Sequence, residues 1–281
     1  MSIHVFSHEA MATHFEVAID GPDREYARQA AAAAFRETDR LENLLSRYIE
    51  SSDISRANRL PRGGTTTISD ETLEVLLIAA DLSLATQRAF DPAYQARRPA
   101  DLPADAPLFT LDPASHQLTS QADRLHLDLG AVGKGFALDR MADVLREWGL
   151  TAACLNAGGS SVLALESPPV DGPFGWSVSL GPGAAEREIP LLGASLSGSG
   201  TAVKGAHLFN PRTGGTAARN ARVWALAPSA AQADALSTAF FVMEESEVAT
   251  LCSAHPQIGG ALSQADGSLK IFGALAGPTG A

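Results

Sequence analysis

The spacing of apolar and polar residues changes repeatedly along the chain between the period of strands and that of helices. Apolar and polar side chains alternate from Thr13 to Asp20, which predicts a half-buried strand. From Asp23 to about Arg47 apolar residues, many of them alanine, recur at helical spacing, so we expect one long helix or two with a break. Another helix is expected to begin at the N-cap pair Ser69-Asp70 and to run toward Arg88.

The middle of the chain is rich in proline and glycine. A loop is expected over the stretch that contains Pro92, Pro99, Pro103, Pro107 and Pro113, because no period is sustained there. Leu125 and Leu127 then alternate with polar neighbours, which predicts a short strand. It leads into the glycine-rich segment Gly130–Gly135, after which apolar residues return to helical spacing. The expected order is strand, glycine loop and helix.

Short apolar segments and turn signals dominate the remainder of the chain. Strands are expected at 151–156, 160–165, 174–180, 194–197 and 222–227. The Ser197–Gly200 segment has the composition of a flexible loop. A capped helix is expected to open at Ser229, and Asp266-Gly267 is a hairpin turn signal.

These elements predict an α/β fold of the α+β type. We expect residues 1–281 to form one compact unit with a mixed sheet and flanking helices, because no fixed repeat and no low-complexity linker divides the chain. A sub-lobe formed by the first hundred residues is an arrangement that the pattern leaves open.

Composition narrows the class of protein. Of the 281 residues 45% are hydrophobic and 19% are charged, which is typical of a globular protein and excludes disordered or fibrous chains. The chain carries 21 basic and 32 acidic residues, a net charge of −11, so we expect no nucleic-acid partner. No apolar run approaches the ~20 residues of a membrane span. No leader-like segment or lipid-accepting cysteine stands near the start, so we expect a cytoplasmic protein.

The glycine loop is a candidate phosphate site. Backbone N–H groups at the start of a helix favour anions, and Lys134 adds a positive charge there. The segment is not a Walker A loop, because Asp128 stands where that motif needs glycine and Gly135 where it needs serine or threonine. It is not the dinucleotide fingerprint either, because Gly130–Gly133 has the wrong glycine spacing. A plain tight turn into a helix remains the alternative for this segment.

A second candidate site lies on the helix after Ser229. Asp234 and Thr238 stand four residues apart, so a carboxylate and a hydroxyl project from one face of the helix. Oxygen ligands of this kind suit a hard cation such as Mg²⁺. A hydrophilic surface is the alternative, but the neighbouring small and apolar residues indicate a buried helix. A buried aspartate needs a partner, and a metal ion is one.

His207 is the histidine with the clearest motif. It precedes a turn that Pro211 and Gly214 close. A histidine there could act as a general base, since its ordinary pKa lies near neutral pH, or it could be a hydrogen-bonded turn residue. Sequence alone leaves both interpretations open.

Taken together and in order, these segments resemble the ApbE family, the FAD:protein FMN transferases. The matching segments span residues 11 to 238: Met11-Ala12-Thr13; Leu45–Tyr48 with Ser55–Arg59; Ala89–Pro92; Asp128–Gly135 with Asp139; Asn156–Gly159; Ser197-Gly198; His207 with Asn210–Gly214; and Ala233–Thr238. The blocks around 128–139 and 233–238 are the most specific of these.

The resemblance implies an enzyme that binds FAD, uses Mg²⁺, transfers FMN to a threonine hydroxyl of an acceptor protein and releases AMP. Two alternatives keep the same site. In one, water replaces threonine and the protein is an FAD pyrophosphatase. In the other, the protein binds flavin without catalysis.

The resemblance also implies roles for individual residues. The metal would be held by Asp234, Thr238 and the backbone carbonyl of Ala131, and His207 would be the catalytic residue. Contacts with FAD are implied for Asp128 and Lys134, and the flavin nucleotide pocket would be lined by Met11, Tyr48, Ala89, Phe90, Asp91 and Leu208. These roles are consistent with the charge of the protein, because a chain with a net charge of −11 would repel a pyrophosphate unless Mg²⁺ and Lys134 neutralised it locally.

The chain departs from the family pattern at several positions. Members usually have glycine where Ala12 stands, an acidic residue at Ser160, tyrosine at Ser199 and aspartate at Asn210, and the segment from Ser197 to His207 is short. These departures fall near the expected site. Asn210 removes a charge that could have oriented His207 or Arg212.

Overall fold

The computed structural model describes residues 2–21, 23–103, 105–167, 175–180, 187–200, 209–216, 222–264 and 266–276. Six helices lie within these ranges: α1 Arg24–Leu45, α2 Asp53–Asn58, α3 Asp70–Ala85, α4 Gly133–Glu147, α5 Ala230–Val242 and α6 Glu245–Ala254. The strands there are β1 Ser2–Ala10, β2 Thr13–Gly21, β3 Thr65–Thr67, β4 Phe109–Asp112, β5 Gln117–Ser120, β6 Ala153–Ala157, β7 Ser161–Ala164, β8 Trp176–Leu180, β9 Arg187–Leu191, β10 Ala194–Gly200, β11 Phe209–Asn210, β12 Gly215–Thr216, β13 Arg222–Ala227, β14 Gly259–Ser263 and β15 Leu269–Gly273.

One large sheet organises the fold, with strand order β1-β2-β6-β7-β10-β13-β14-β15. Every neighbouring pair in it is antiparallel. The α+β class is therefore confirmed, but the expected mixed sheet is wrong. Short connections such as β1–β2 and β14–β15 join strands as hairpins, whereas a parallel pair would need a long crossover.

Helices α1, α4 and α5 pack against this sheet with their buried faces. In α1 the buried stripe includes Ala27, Ala30, Ala31 and Ala34, and in α5 nearly every side chain is buried. The N-caps expected at Ser69 and Ser229 form: their side chains accept hydrogen bonds from the first turns of α3 and α5. Asp23, which was not predicted as a cap, does the same for α1. On the other face of the sheet, apolar side chains of the β8–β9 hairpin cover Ala164 and Leu196.

The first hundred residues do not form a lobe of their own, because β1, β2 and α1 belong to the large sheet and its core. A separate small sheet has the order β3-β5-β4. Its strands β4 and β5 include part of the proline-rich stretch that was expected to be loop. Proline is tolerated before a strand, where no ladder hydrogen bond is lost.

The strand expected at Leu125 and Leu127 is absent from this described segment, where the chain is extended but joins no sheet. The Asn58 side chain takes the place of a neighbouring strand: its Oδ1 accepts from the Leu127 N–H at 2.6 Å, and its Nδ2 donates to the Leu127 carbonyl at 2.9 Å. The alternation of apolar and polar residues therefore predicted the burial of both leucines correctly. It could not show that a side chain, and not a strand, provides the hydrogen bonds.

In the described part of the chain, none of the helices has the length and apolar character needed to cross a membrane.

Candidate functional site

The glycine loop leads into the first turn of α4. The Gly133 N–H donates to the Leu129 carbonyl at 2.7 Å. The Gly135 N–H, one of the first-turn amides that have no acceptor within a helix, donates to Asp234 Oδ2 at 3.1 Å. The Ala131 carbonyl precedes the N-cap Val132, so it lies outside the hydrogen-bond ladder of the helix.

Gly135 also lets α4 approach the start of α5. A Cβ atom at this position would stand 2.0 Å from the Ala230 carbonyl oxygen, far inside contact distance. No residue except glycine fits this crossing without moving a helix. The close approach is what places Lys134 next to Asp234, a hundred residues later in the chain.

Asp234 is a buried carboxylate with four donors around it. The Lys134 Nζ lies 3.0 Å from Oδ2 and 3.3 Å from Oδ1, and the Gly135 N–H also bonds to Oδ2. The hydroxyls of Ser161 and Ser197 donate to Oδ1 at 2.7 and 2.8 Å. Burial alone would raise the pKa of Asp234, but the Lys134 charge and these hydrogen bonds outweigh it and hold that pKa below its ordinary value. Asp234 is therefore an anion.

The two serines come from neighbouring strands. Ser161 opens β7 and pairs in register with Ser197 on β10, and both side chains face α5. The Ser197–Gly200 segment is thus part of a strand and not the flexible loop expected from its composition. Sequence analysis missed the role of Ser161. The one available signal was a hydroxyl at an inward-facing position of an otherwise apolar strand.

Asp139 fixes α5 relative to α4. Its two carboxylate oxygens accept from the backbone N–H groups of Ala230 and Ala231 at 2.8 and 2.9 Å. These amides open α5, where a carboxylate is favoured by the helix dipole. Burial raises the pKa of Asp139 to about 6 although the two amides pull it down. Asp139 thus ties the start of α5, the helix that carries Asp234, to α4.

A second group of predicted residues gathers around Arg47. The Arg47 guanidinium lies 3.5 Å from Asp128 Oδ2 and 4.6 Å from the centre of the Tyr48 ring, which is 81% exposed. Asp128 Oδ1 also accepts the Gly130 N–H at 2.9 Å, which shapes the glycine loop. Asp128 and Tyr48 are therefore brought together, and the loop that carries Asp128 continues to Lys134.

Tyr94 joins this group, and sequence analysis missed it. Its ring packs against that of Phe209 with centroids 5.2 Å apart. Burial and the negative charge of Asp128 raise the pKa of the Tyr94 phenol. Phe209 directly follows His207 and Leu208, two predicted site residues that lie outside the described part of the chain.

The predicted flavin-lining residues Ala89, Phe90 and Asp91 form a buried loop after α3. Asp91 is used within this loop: it pairs with Arg88 at 2.6 Å and accepts the Ala93 N–H at 2.8 Å. The side chains of Ala89 and Phe90 are packed in the core, so the backbone of this loop is the part that can reach a ligand.

Arg212 clamps the same loop from the other side. Its guanidinium donates to the carbonyls of Thr86 and Gln87 at 2.6 and 2.9 Å and pairs with Glu247 at 2.8 Å. The Arg212 N–H is held by the amide oxygen of Asn210 at 2.9 Å. Asn210 therefore makes the same turn that an aspartate could make. Arg212 keeps its position although residue 210 carries no charge.

Two turns meet at the end of the large sheet nearest Asp234. Met11 and Ala12 join β1 to β2 with left-handed φ angles of 50° and 55°. Gly158, in the turn between β6 and β7, has φ of 61°, and a Cβ there would stand 2.4 Å from the Thr13 hydroxyl. Thr13 follows the Met11 turn and lies against Gly158, and the Gly158 turn leads to Ser161, which bonds to Asp234. These contacts connect the Met11 turn to the Asp234 site.

The oxygen atoms expected to hold a metal ion fit a hard cation in kind. They are the Asp234 carboxylate, the Ala131 carbonyl and the hydroxyl of Thr238, which is half-buried one helical turn from Asp234. A single carboxylate is too few for an all-protein cage, and the described residues hold no cluster of three or more histidine, cysteine, aspartate or glutamate side chains. The set suits an ion that takes its other ligands from water and substrate phosphates.

Comparison with known proteins identifies the family. The model of the ApbE family matches residues 11–262. The chain belongs to the ApbE family. Among relatives of this ApbE protein is "FAD:protein FMN transferase" of Escherichia coli strain K12, 22% identical over 279 residues that cover 86% of this chain and 78% of the relative.

Solved structures show the same ApbE fold. The apo form of the Pseudomonas stutzeri flavinyl transferase ApbE superimposes with a TM-score of 0.80 at 22% identity, covering 100% of this chain and 97% of that one. The flavin transferase ApbE from Vibrio cholerae gives 0.79 at 20% identity, covering 96% and 97%.

Proposed function

We propose that this ApbE protein transfers FMN from FAD to a threonine hydroxyl of an acceptor protein, with Mg²⁺, and releases AMP. The observation that carries the proposal is the buried contact between Lys134 and Asp234 at the start of α4. It joins the two blocks of sequence that resemble the family most closely. The names of the curated relatives support the same activity.

The start of α4 is the proposed pyrophosphate site. The helix dipole favours negative charge there, and Lys134 lies within the same turn. A protein with a net charge of −11 needs such a local device to hold a pyrophosphate. We assign Asp128 to the same nucleotide, since its loop also forms this turn.

Asp234, Thr238 and the Ala131 carbonyl would hold the Mg²⁺ ion. When bound, the ion would neutralise charge that develops on the phosphates. Ser161 and Ser197 orient the Asp234 carboxylate toward this task through their hydrogen bonds to Oδ1.

The flavin end of FAD is assigned to the surface between Tyr48 and the Met11 turn. Tyr48 offers an exposed ring beside Arg47, and aromatic rings stack on flat conjugated systems. The backbone of Ala89, Phe90 and Asp91, together with Leu208, completes the proposed lining.

His207 is assigned as the base. It takes the proton of the threonine hydroxyl, whose oxygen then bonds to the phosphorus of the FMN half of FAD. The bond from that phosphorus to the bridging oxygen breaks, and AMP leaves with the bridging oxygen. Without a base within reach, threonine is a poor nucleophile at neutral pH.

One incubation tests the proposal. The protein is mixed with FAD, Mg²⁺ and threonine-containing acceptor peptides, and both AMP and peptide mass are followed; peptides with alanine in place of threonine are the control. Transfer predicts AMP in step with a peptide heavier by FMN less one water. AMP without a heavier peptide would show hydrolysis, and bound FAD without AMP would show a flavin-binding protein; either result contradicts transfer.

A further inference from the structure

The Asp234 carboxylate is fully engaged by groups of the protein itself. Ser161 and Ser197 occupy Oδ1, the Gly135 N–H occupies Oδ2, and the Lys134 ammonium lies across both oxygens. A buried carboxylate without a cation would be costly, so Lys134 compensates its charge.

We propose that Lys134 and a divalent cation compete for Asp234, and that the FAD pyrophosphate decides the competition by drawing the Lys134 ammonium away. This inference rests on the proposed function, because it needs the same nucleotide and the same ion. It adds an order to them: the nucleotide must engage Lys134 before the cation can be held firmly.

Crowding of positive charge is the first argument. A Mg²⁺ ion stands ~2.1 Å from its oxygen ligands. The Lys134 Nζ is 3.0 Å from Oδ2, so an ion on this carboxylate would stand close to the ammonium in a buried setting. Repulsion between two cations at such distances is large where water is scarce. The two cannot share the carboxylate without one of them shifting.

Lys134 is the partner that can shift. The serines sit on paired strands of the sheet, and the Gly135 N–H belongs to the fixed crossing of α4 and α5. Lys134 instead carries its ammonium on a flexible four-carbon stem, and its side chain keeps 15% exposure. The α4 N-terminus, where the pyrophosphate is proposed to bind, lies within reach of that stem.

The competition makes the two ligands cooperative. A pyrophosphate that takes Lys134 frees Asp234 for the cation, so FAD should raise the affinity for the cation, and the cation should raise the affinity for FAD by the same factor. Protein alone should hold the cation weakly. Removing the ammonium by mutation should imitate the effect of the nucleotide on the cation.

The test uses Mn²⁺ alone, without nucleotide, and measures free Mn²⁺ by electron paramagnetic resonance. The Lys134→Met variant should bind Mn²⁺ at least about tenfold more tightly than wild type. Lys270→Met is the matched control, because Lys270 pairs with Glu245 on the surface; it should bind as wild type does. Equal or weaker Mn²⁺ binding by Lys134→Met would overturn the competition.

Thermal unfolding keeps the test meaningful if Lys134→Met is less stable. Without Lys134 the Asp234 charge is unpaired, so the variant should melt earlier than wild type in the absence of Mg²⁺. Added Mg²⁺ should raise its melting temperature by about 3 °C more than it raises that of wild type, the shift that a tenfold difference in affinity produces. An equal rise in both proteins would contradict the inference.

Failure of the inference differs from failure of the proposed function. AMP release by the wild type with Mg²⁺, together with unchanged Mn²⁺ affinity in Lys134→Met, would overturn the competition alone. Absence of AMP release, with no Mn²⁺ bound to any of the proteins even when FAD is present, would overturn both.

Discussion

Asp234 is the residue whose charge matters most to the candidate site, because four donor groups bond to its carboxylate. Replacing it in Asp234→Asn leaves the Lys134 ammonium buried without a counter-charge. We expect a loss of about 3 kcal/mol in the free energy of unfolding and a loss of AMP release of at least about a hundredfold. Urea unfolding and an AMP assay measure the two effects.

Asp143→Asn is the control for this change. Asp143 lies on the exposed side of α4, where it pairs with Arg146 at 2.8 Å. Surface ion pairs contribute little, so both measurements should stay within about 0.5 kcal/mol of wild type. Near-normal AMP release by Asp234→Asn would remove Asp234 from the proposed chemistry.

Ala12 carries backbone strain that a single substitution can release. Its φ of 55° lies in the left-handed region, which costs a residue with a Cβ roughly 1–2 kcal/mol. Ala12→Gly should therefore stabilise the protein by about 1 kcal/mol after the extra chain entropy of glycine is counted. Ala33→Gly, within helix α1, should instead cost about 1 kcal/mol. Urea unfolding in which both variants lose stability would contradict the turn geometry.

For individual residues, the sequence indicated which side chains could bind a phosphate or a metal ion, but not which of them touch each other. Lys134 and Asp234 stood out as candidates for a phosphate and a metal site, yet nothing in the pattern showed that they touch, since that contact depends on the crossing of two helices. Ser161 carried no motif at all. Its role follows from facing α5 out of a strand, which only the register of β7 and β10 determines.

The crossing of α4 and α5 gives the first prediction at the scale of elements. Gly135→Ala would press a methyl group into the Ala230 carbonyl and separate the helices. We expect a loss of about 3 kcal/mol in stability and weaker FAD binding, because the start of α4, the proposed pyrophosphate site, would be displaced. Thermal unfolding and FAD fluorescence are the measurements.

Gly133→Ala is the matched control two residues earlier in the same helix. A Cβ there would meet the Leu129 Cβ at 3.8 Å, an ordinary contact. Alanine also favours helix, so this variant should be unchanged or up to about 1 kcal/mol more stable. Equal losses in the two variants would mean that the crossing distance is not what glycine provides.

The cap that Asp139 places on α5 predicts a dependence on pH. The folded-state pKa of Asp139, about 6, lies above its ordinary value of 3.8, because burial disfavours the charge. The stability that this group contributes is therefore complete below about pH 4 and is lost as the pH rises through 6. The substitution Asp139→Asn would imitate the neutral form at every pH.

The variant Asp139→Asn should thus gain on wild type as the pH rises. The difference in unfolding free energy between variant and wild type should grow by up to about 3 kcal/mol between pH 4 and pH 7. Urea unfolding at several pH values measures it. A difference that stays constant, or that shrinks toward pH 7, would contradict the buried environment of Asp139.

Elements with strong periodicity were predictable and those defined by distant partners were not. The α1 stripe of alanines and the caps at Ser69 and Ser229 follow from local physics and were confirmed. The extended segment at Leu125 and Leu127 looked like a strand because alternation reports burial, whereas a strand also needs a neighbour.

For the whole molecule, the antiparallel sheet explains why residues from distant parts of the chain meet. Hairpins return the chain to the same end, so the Met11 turn, the Gly158 turn and the Ser161–Ser197 pair follow one another along one end of the sheet, and the serine pair faces α5. The order of strands in the sheet is not encoded in any local pattern. The α+β class was therefore predictable, and the antiparallel topology was not.

A crystal structure of the protein with FAD and Mg²⁺ tests the account most directly. We expect the pyrophosphate to lie at the start of α4, with the Lys134 ammonium on a phosphate oxygen and the ion on Asp234. An alternative location exists in a cleft of about 680 Å³ whose lining includes Arg97, Arg124 and His126. Phosphates bound in that cleft, with Lys134 still on Asp234, would contradict the account.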